Sequence, residues 1–143
     1  MQRNGLALNI ELKPTPGQEQ FTGQVVAEHA ARLWAGQAVP PLLSSFSPHA
    51  LASAQAAEPA LPRALLLDTL WDGWSDRVAA LGCVAVVTHH ALMDSALCAQ
   101  LQAGGRRALV YTVNEPVDAQ RLLALGIDGL ITDALDRFAP ALG

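Results

Sequence analysis

Glu11 and Lys13 stand two residues apart in the stretch Leu6-Ala-Leu-Asn-Ile-Glu-Leu-Lys13, which Pro14 closes. Read as a strand, the stretch alternates with period two: Leu6, Leu8, Ile10 and Leu12 fall on one face, and Ala7, Asn9, Glu11 and Lys13 on the other. Residues so spaced are ~6.5 Å apart and address the same space. A buried carboxylate is costly unless it is paired or holds a metal, and parallel strands are usually buried on both faces. Three readings are open from this stretch alone: a structural Glu–Lys pair, a face that meets solvent, or a functional acid and base. Further polar residues close other apolar runs, namely Ser44 and Ser45, Asp68, His89 and His90, Asn114, and Asp133. The two cysteines, Cys83 and Cys98, match no metal-ligand or redox spacing, and Cys83 reads as a buried reduced thiol.

The elements that must position these residues follow from patterning and punctuation. Thr15-Pro16-Gly17-Gln18 reads as a capping box opening a helix, with Val25, Val26, Ala30, Leu33 and Trp34 as its apolar stripe and Gly36 at its end. Pro41–Phe46 is a second strand, and Ser47-Pro48 opens the next helix. Ala64–Leu67 is a third strand, followed by a helix from Trp71 to Leu81 that Gly82 stops. Cys83–Thr88 is a fourth strand running into His89-His90, with a helix over 92–103. Ala108–Val113 is a fifth strand, Asn114-Glu115-Pro116 caps a helix to Leu125, and Gly126 ends it. Gly129–Thr132 is a sixth strand, and Asp133 caps a last helix ending near Pro140.

Six βα units in strict alternation predict a parallel sheet covered by helices in one α/β domain. A doubly wound sheet would show a glycine-rich phosphate loop after its first strand, where this chain has Lys13-Pro-Thr-Pro-Gly17. Polar residues at several strand ends favour a (β/α)8 barrel, whose site is assembled from many βα loops, although six units are two short of eight. With 143 residues, 51% of them hydrophobic, the chain can bury a core. A net charge of -4 and a pI near 5.4 argue against a broad nucleic-acid or anionic-membrane surface. No apolar run reaches membrane-spanning length and no signal-like segment opens the chain, so a cytoplasmic protein with no membrane span is expected.

Asn9-Ile-Glu-Leu-Lys-Pro14, Pro40-Pro-Leu-Leu-Ser-Ser-Phe46, Leu65-Leu-Leu-Asp68, Tyr111-Thr-Val-Asn114 and Leu125-Gly-Ile-Asp-Gly-Leu-Ile-Thr-Asp133, in this order, resemble the glycerophosphodiester phosphodiesterase family, in its cytoplasmic bacterial type. The resemblance spans nearly the whole chain. It implies a (β/α)8 barrel that hydrolyses glycerophosphodiesters to glycerol 3-phosphate and an alcohol with a divalent metal, Mg²⁺ or Ca²⁺. It makes Glu11 a metal ligand and sets Lys13 by the phosphate, where a hard cation takes carboxylate oxygens and an ammonium meets the non-bridging oxygens. His90 falls in the loop after the barrel's sixth strand, where a substrate-pocket residue is expected. Tyr111 stands where the family more often shows Trp, and Phe46 is a candidate wall of the same pocket. Trp71 and Trp74 suit packing or a lid-like loop equally, and His29 and His49 receive no role.

The resemblance also has departures. The family's His-Arg-Gly motif, two further acidic metal ligands and second catalytic histidine lie on two strands that precede the Glu-x-Lys strand, and Met1–Gly5 (Met-Gln-Arg-Asn-Gly) cannot supply them. The six units therefore match strands three to eight of an N-terminally truncated phosphodiesterase domain over 1–143, with one metal ligand of three and neither acid–base histidine. The expectation is a polypeptide inactive by itself. The alternative is a non-catalytic phosphate- or metal-binding barrel module, and translating the DNA upstream of Met1 would separate the two. Two absent strands leave two parallel edges open, which predicts self-association.

Overall fold

The chain's computed structural model describes residues 6–138. Six strands alternate with helices: β1 (Asn9–Glu11), α1 (Glu19–Leu33), β2 (Leu42–Ser45), α2 (Pro48–Ala57), β3 (Arg63–Leu67), α3 (Trp74–Ala80), β4 (Ala85–His89), α4 (Ser95–Ala103), β5 (Arg107–Tyr111), α5 (Pro116–Ala124) and β6 (Gly129–Leu130). This is the α/β pattern of an incomplete (β/α)8 barrel, with strands following one another in the sheet as in the chain. Among the described residues two compact units divide it, one running to residue 66 and taking in 71–84, the other made of 67–70 and the residues from 85 on.

In the first unit β1 pairs β2 in parallel, Asn9 opposite Leu42 and Glu11 opposite Ser44, and β2 pairs β3, Leu43 opposite Arg63. β3 is buried throughout, as an apolar parallel strand should be. β1 instead keeps the alternation of its sequence: Leu12 is buried, while Asn9, Glu11 and Lys13 are exposed. Arg63, at the start of β3, is buried; its Nε donates to the Leu81 carbonyl at 2.8 Å, and its Nη1 to those of Leu61 at 2.8 Å and Pro59 at 3.2 Å.

The Thr15–Gln18 segment forms a turn and not the first turn of a helix. Gln18 N–H donates to Thr15 O at 2.8 Å and Gly17 has φ 84°, the type II geometry that Pro16-Gly17 favours, so α1 starts at Glu19 with no side-chain cap. The buried stripe of α1 is Gly23, Ala27 and Ala30, while Leu33 is 61% exposed. Small residues win because α2 packs so close: a Cβ on Gly23 would lie 2.2 Å from the Ala50 carbonyl oxygen. The Ser47 cap of α2 forms as its sequence indicates, accepting from Ala50 N–H at 3.1 Å. The third helix is shorter than 71–81, because Gly73 at φ 85° precedes its first residue, Trp74.

In the second unit β4 pairs β5 from Ala85–Arg107 through His89–Tyr111, and β5 pairs β6 at Leu109–Gly129 and Val110–Leu130. β4 reaches one residue beyond Thr88, and a 3₁₀ turn over His90–Leu92 follows. α4 begins at Ser95 because Asp94 caps it, accepting from Leu97 N–H at 2.8 Å. Asn114 does not cap α5; its Oδ1 accepts from Thr132 Oγ1 at 3.1 Å and from Asp133 N–H at 3.0 Å. After β6, residues 135–137 form a turn and not a helix, and the helix end expected near Pro140 lies outside the described residues.

Candidate active site

In the first unit, Lys13 Nζ stands 3.8 Å from Glu11 Oε1, with 78% of the Lys13 side chain and 35% of the Glu11 side chain exposed. A pair so exposed contributes at most about 1 kcal/mol, so pairing alone is a weak structural reason for two charges on this face. The face meets solvent. Asn9, on the same face, accepts from Ser44 Oγ at 2.9 Å.

The carboxyl ends of β1 and β2 are fastened to one another by a short polar relay. Ser45 Oγ donates to the Leu12 carbonyl at 2.8 Å and accepts from Ser47 N–H at 3.0 Å, while the Ser47 hydroxyl caps α2. These bonds give a defined course to the two βα loops, which enclose a hollow of about 330 Å³ lined by Leu12, Lys13, Pro14, Pro16, Glu19, Ser45, Phe46 and Ser47. Lys13 and the 46%-exposed Phe46 are thus brought to the lining of one cavity. Ser45 was visible in the sequence as a polar strand-end residue and Ser47 as a helix opener; together they set the loops.

In the second unit Tyr111 ends β5, and its hydroxyl donates to the Leu67 carbonyl at 3.3 Å. His89, directly across the register from Tyr111, meets its ring edge-on at a centroid distance of 5.8 Å and stacks on His90 at 4.5 Å. His90 opens the 3₁₀ turn, which Arg121 holds by donating to the carbonyls of His90 at 3.0 Å and Met93 at 3.1 Å. His89 was named in the sequence with His90 as a polar strand-end residue and was given no site role. Its signal was its place directly after the buried run Ala85–Thr88.

Asn114, Glu115, Asp133, Ala134, Asp136 and Arg137 line a second hollow, of about 390 Å³, where Arg137 pairs with Glu115 at 2.9 Å. Among the described residues no group of three or more His, Cys, Asp or Glu side chains is placed to hold a metal ion. Mg²⁺ and Ca²⁺ take six or more oxygen ligands, and Glu11 offers one carboxylate. The described residues therefore do not by themselves make a divalent-cation site.

The chain is similar in structure to a phosphodiesterase from Oleispira antarctica solved in complex with its product sn-glycerol-3-phosphate, with 30% identity, a TM-score of 0.85, and coverage of 94% of this chain and 54% of that one. It is also similar to glycerophosphodiester phosphodiesterases from Parabacteroides distasonis (17% identity, TM-score 0.72, covering 90% and 52%) and Thermotoga maritima (18% identity, TM-score 0.69, covering 92% and 56%), a likeness of fold. The chain spans about half the length of these solved relatives. Among curated proteins, none matches it by sequence. The model of the glycerophosphoryl diester phosphodiesterase family matches residues 1–137, and the chain belongs to that family.

Proposed function

We propose that this chain carries the phosphate-facing part of a site that hydrolyses glycerophosphodiesters to glycerol 3-phosphate and an alcohol. The observation that carries the reading is the hollow at the ends of β1 and β2, where Lys13 and Phe46 meet. The Oleispira antarctica relative, solved with sn-glycerol-3-phosphate, supports the ligand class. In this reading the Lys13 ammonium takes the non-bridging phosphate oxygens and Phe46 walls the carbon skeleton, while Tyr111 and His90 are proposed as substrate-pocket residues within the second unit. Glu11 is proposed as one carboxylate toward Mg²⁺ or Ca²⁺. Because the described residues do not complete a site for the ion, no step of the reaction is assigned to it.

None of these five residues is proposed as the acid or base of P–O cleavage, so binding without turnover is the expected behaviour of residues 1–143 as a polypeptide. Calorimetry should show sn-glycerol 3-phosphate binding that Lys13→Met weakens about tenfold or more, the loss of one charge-assisted hydrogen bond. Glycerophosphocholine with added Mg²⁺ should not be hydrolysed at enzymatic rates, and Glu11→Gln should lower whatever Mg²⁺ affinity the chain has without moving its melting temperature. Turnover at ordinary rates, or product affinity indifferent to Lys13, would overturn the reading.

Self-association and a cytoplasmic setting belong to the same proposal. Among the described residues β1 and β6 end the strand order, and each is proposed as a backbone edge that a second copy could extend. A single monomer peak in light-scattering chromatography would remove the first point. No helix among the described residues is long and apolar enough to cross a membrane.

A further inference from the structure

The family resemblance directs attention to His90, yet the stronger constraints fall on its neighbour. His89 is the last residue of β4 and sits opposite Tyr111 in the parallel register, so the two side chains share a face at the carboxyl end of the strands. Its ring is held on two sides, stacked on His90 with 27° between the planes and set edge-on to Tyr111 at 87°. A third contact fixes its chemistry. The Ala91 backbone N–H lies 3.1 Å from His89 Nδ1. A backbone N–H can only donate, so Nδ1 accepts and carries no proton, and the proton of the neutral ring stands on Nε2.

Nε2 has no hydrogen-bond partner among the described residues, and the side chain is half-buried, so the N–H is both oriented and reachable. The Tyr111 hydroxyl, by contrast, already donates to Leu67 O. A neutral ring with Nδ1 engaged and a proton on Nε2 cannot take a proton at Nε2; it can give a hydrogen bond there. Its complement is an oxygen with lone pairs.

We propose that His89 is a substrate-binding residue that donates its Nε2–H to an oxygen of the glycerol 3-phosphate moiety, with Ala91 fixing the tautomer and His90 acting as the platform on which the ring rests. This rests on the functional reading above and adds to it the residue and the atom. The oxygen belongs either to the phosphate or to a glycerol hydroxyl, and inorganic phosphate and glycerol used as separate probes tell which.

The test uses residues 1–143 labelled with ¹⁵N at histidine. Two-bond ¹H–¹⁵N correlations should show His89 with an unprotonated Nδ1, and sn-glycerol 3-phosphate should move its Nε2 signal. Two substitutions separate hydrogen bonding from packing. His89→Phe keeps a ring against Tyr111 and removes the donor, whereas His89→Gln keeps an N–H donor and removes the ring. Donation predicts that Phe weakens product affinity about three- to tenfold and that Gln retains most of it. The reverse order, or a His89 signal indifferent to saturating product, overturns the assignment. Product that binds wild type, weakens in Lys13→Met and ignores His89→Phe would sink this inference alone. Failure of product to bind the wild-type chain would remove the functional reading and this inference with it.

Discussion

Gly23→Ala is a substitution that should stabilise an isolated helix and instead destabilise this protein. Gly23 lies inside α1, where alanine is favoured over glycine by about 1 kcal/mol. Against that gain, the new methyl would stand 2.2 Å from the Ala50 carbonyl oxygen and 2.9 Å from Ser53 Cβ, where ordinary contacts begin near 3.4 Å. The obstructing atom is backbone in α2, so no rotamer change relieves it, and the helices must part by roughly 1 Å. Overpacking of this kind costs about 1–3 kcal/mol. Separation also stretches the bond from Ser53 Oγ to the Gln20 carbonyl, now 2.6 Å, which contributes about 1 kcal/mol. The balance is a net loss of about 1–3 kcal/mol. For a chain of this size the melting temperature should fall by roughly 4–12 °C in a thermal scan followed by circular dichroism, with the helical signal at low temperature retained. Because α2 begins directly behind Phe46 and Ser47, affinity for sn-glycerol 3-phosphate should fall in the same variant. An unchanged or raised melting temperature would refute the close packing of α1 on α2.

Two further outcomes follow from buried groups. Arg63→Met should lower stability by about 2–4 kcal/mol in denaturant titration, because three main-chain carbonyls lose their donor, and Arg63→Lys should fall between Met and wild type; a Met variant within 0.5 kcal/mol of wild type would deny that role. Burial, and then the nearby Asp128 carboxylate, push the Cys98 thiol up. The folded chain therefore holds that proton more tightly than the unfolded one, so the contribution is complete below the unfolded thiol's value of about 8.5 and is lost as pH rises above it. Denaturation midpoints measured from pH 7 to 10 should decline less in Cys98→Ala than in wild type, and equal declines would count against the shift.

Where local chemistry decides an element, the sequence was a sufficient guide. Ser47-Pro48 opens α2 as its residue types require, and the apolar run around Leu65 is a fully buried strand. Where two local signals compete, the reading went astray. Thr15-Pro16-Gly17-Gln18 satisfies both a capping box and a type II turn, and the positive φ of Gly17 decides for the turn. Asn114 could cap α5, but Thr132 and Asp133 claim its oxygen from 18 and 19 residues away, a contact with no local trace. Lys13 and Phe46 were legible singly as candidate residues, from motif resemblance, while their meeting at one hollow depends on the Ser45 relay between two loops. His89 marks the finer limit. One residue of strand length decides whether a histidine lies in a loop or across the register from Tyr111, and strand ends are where propensity is weakest. The same residue then acquires a defined tautomer from a neighbour two positions on. A functional atom can thus be specified by a boundary that composition and periodicity leave undecided, and for this chain that boundary is the one most worth measuring.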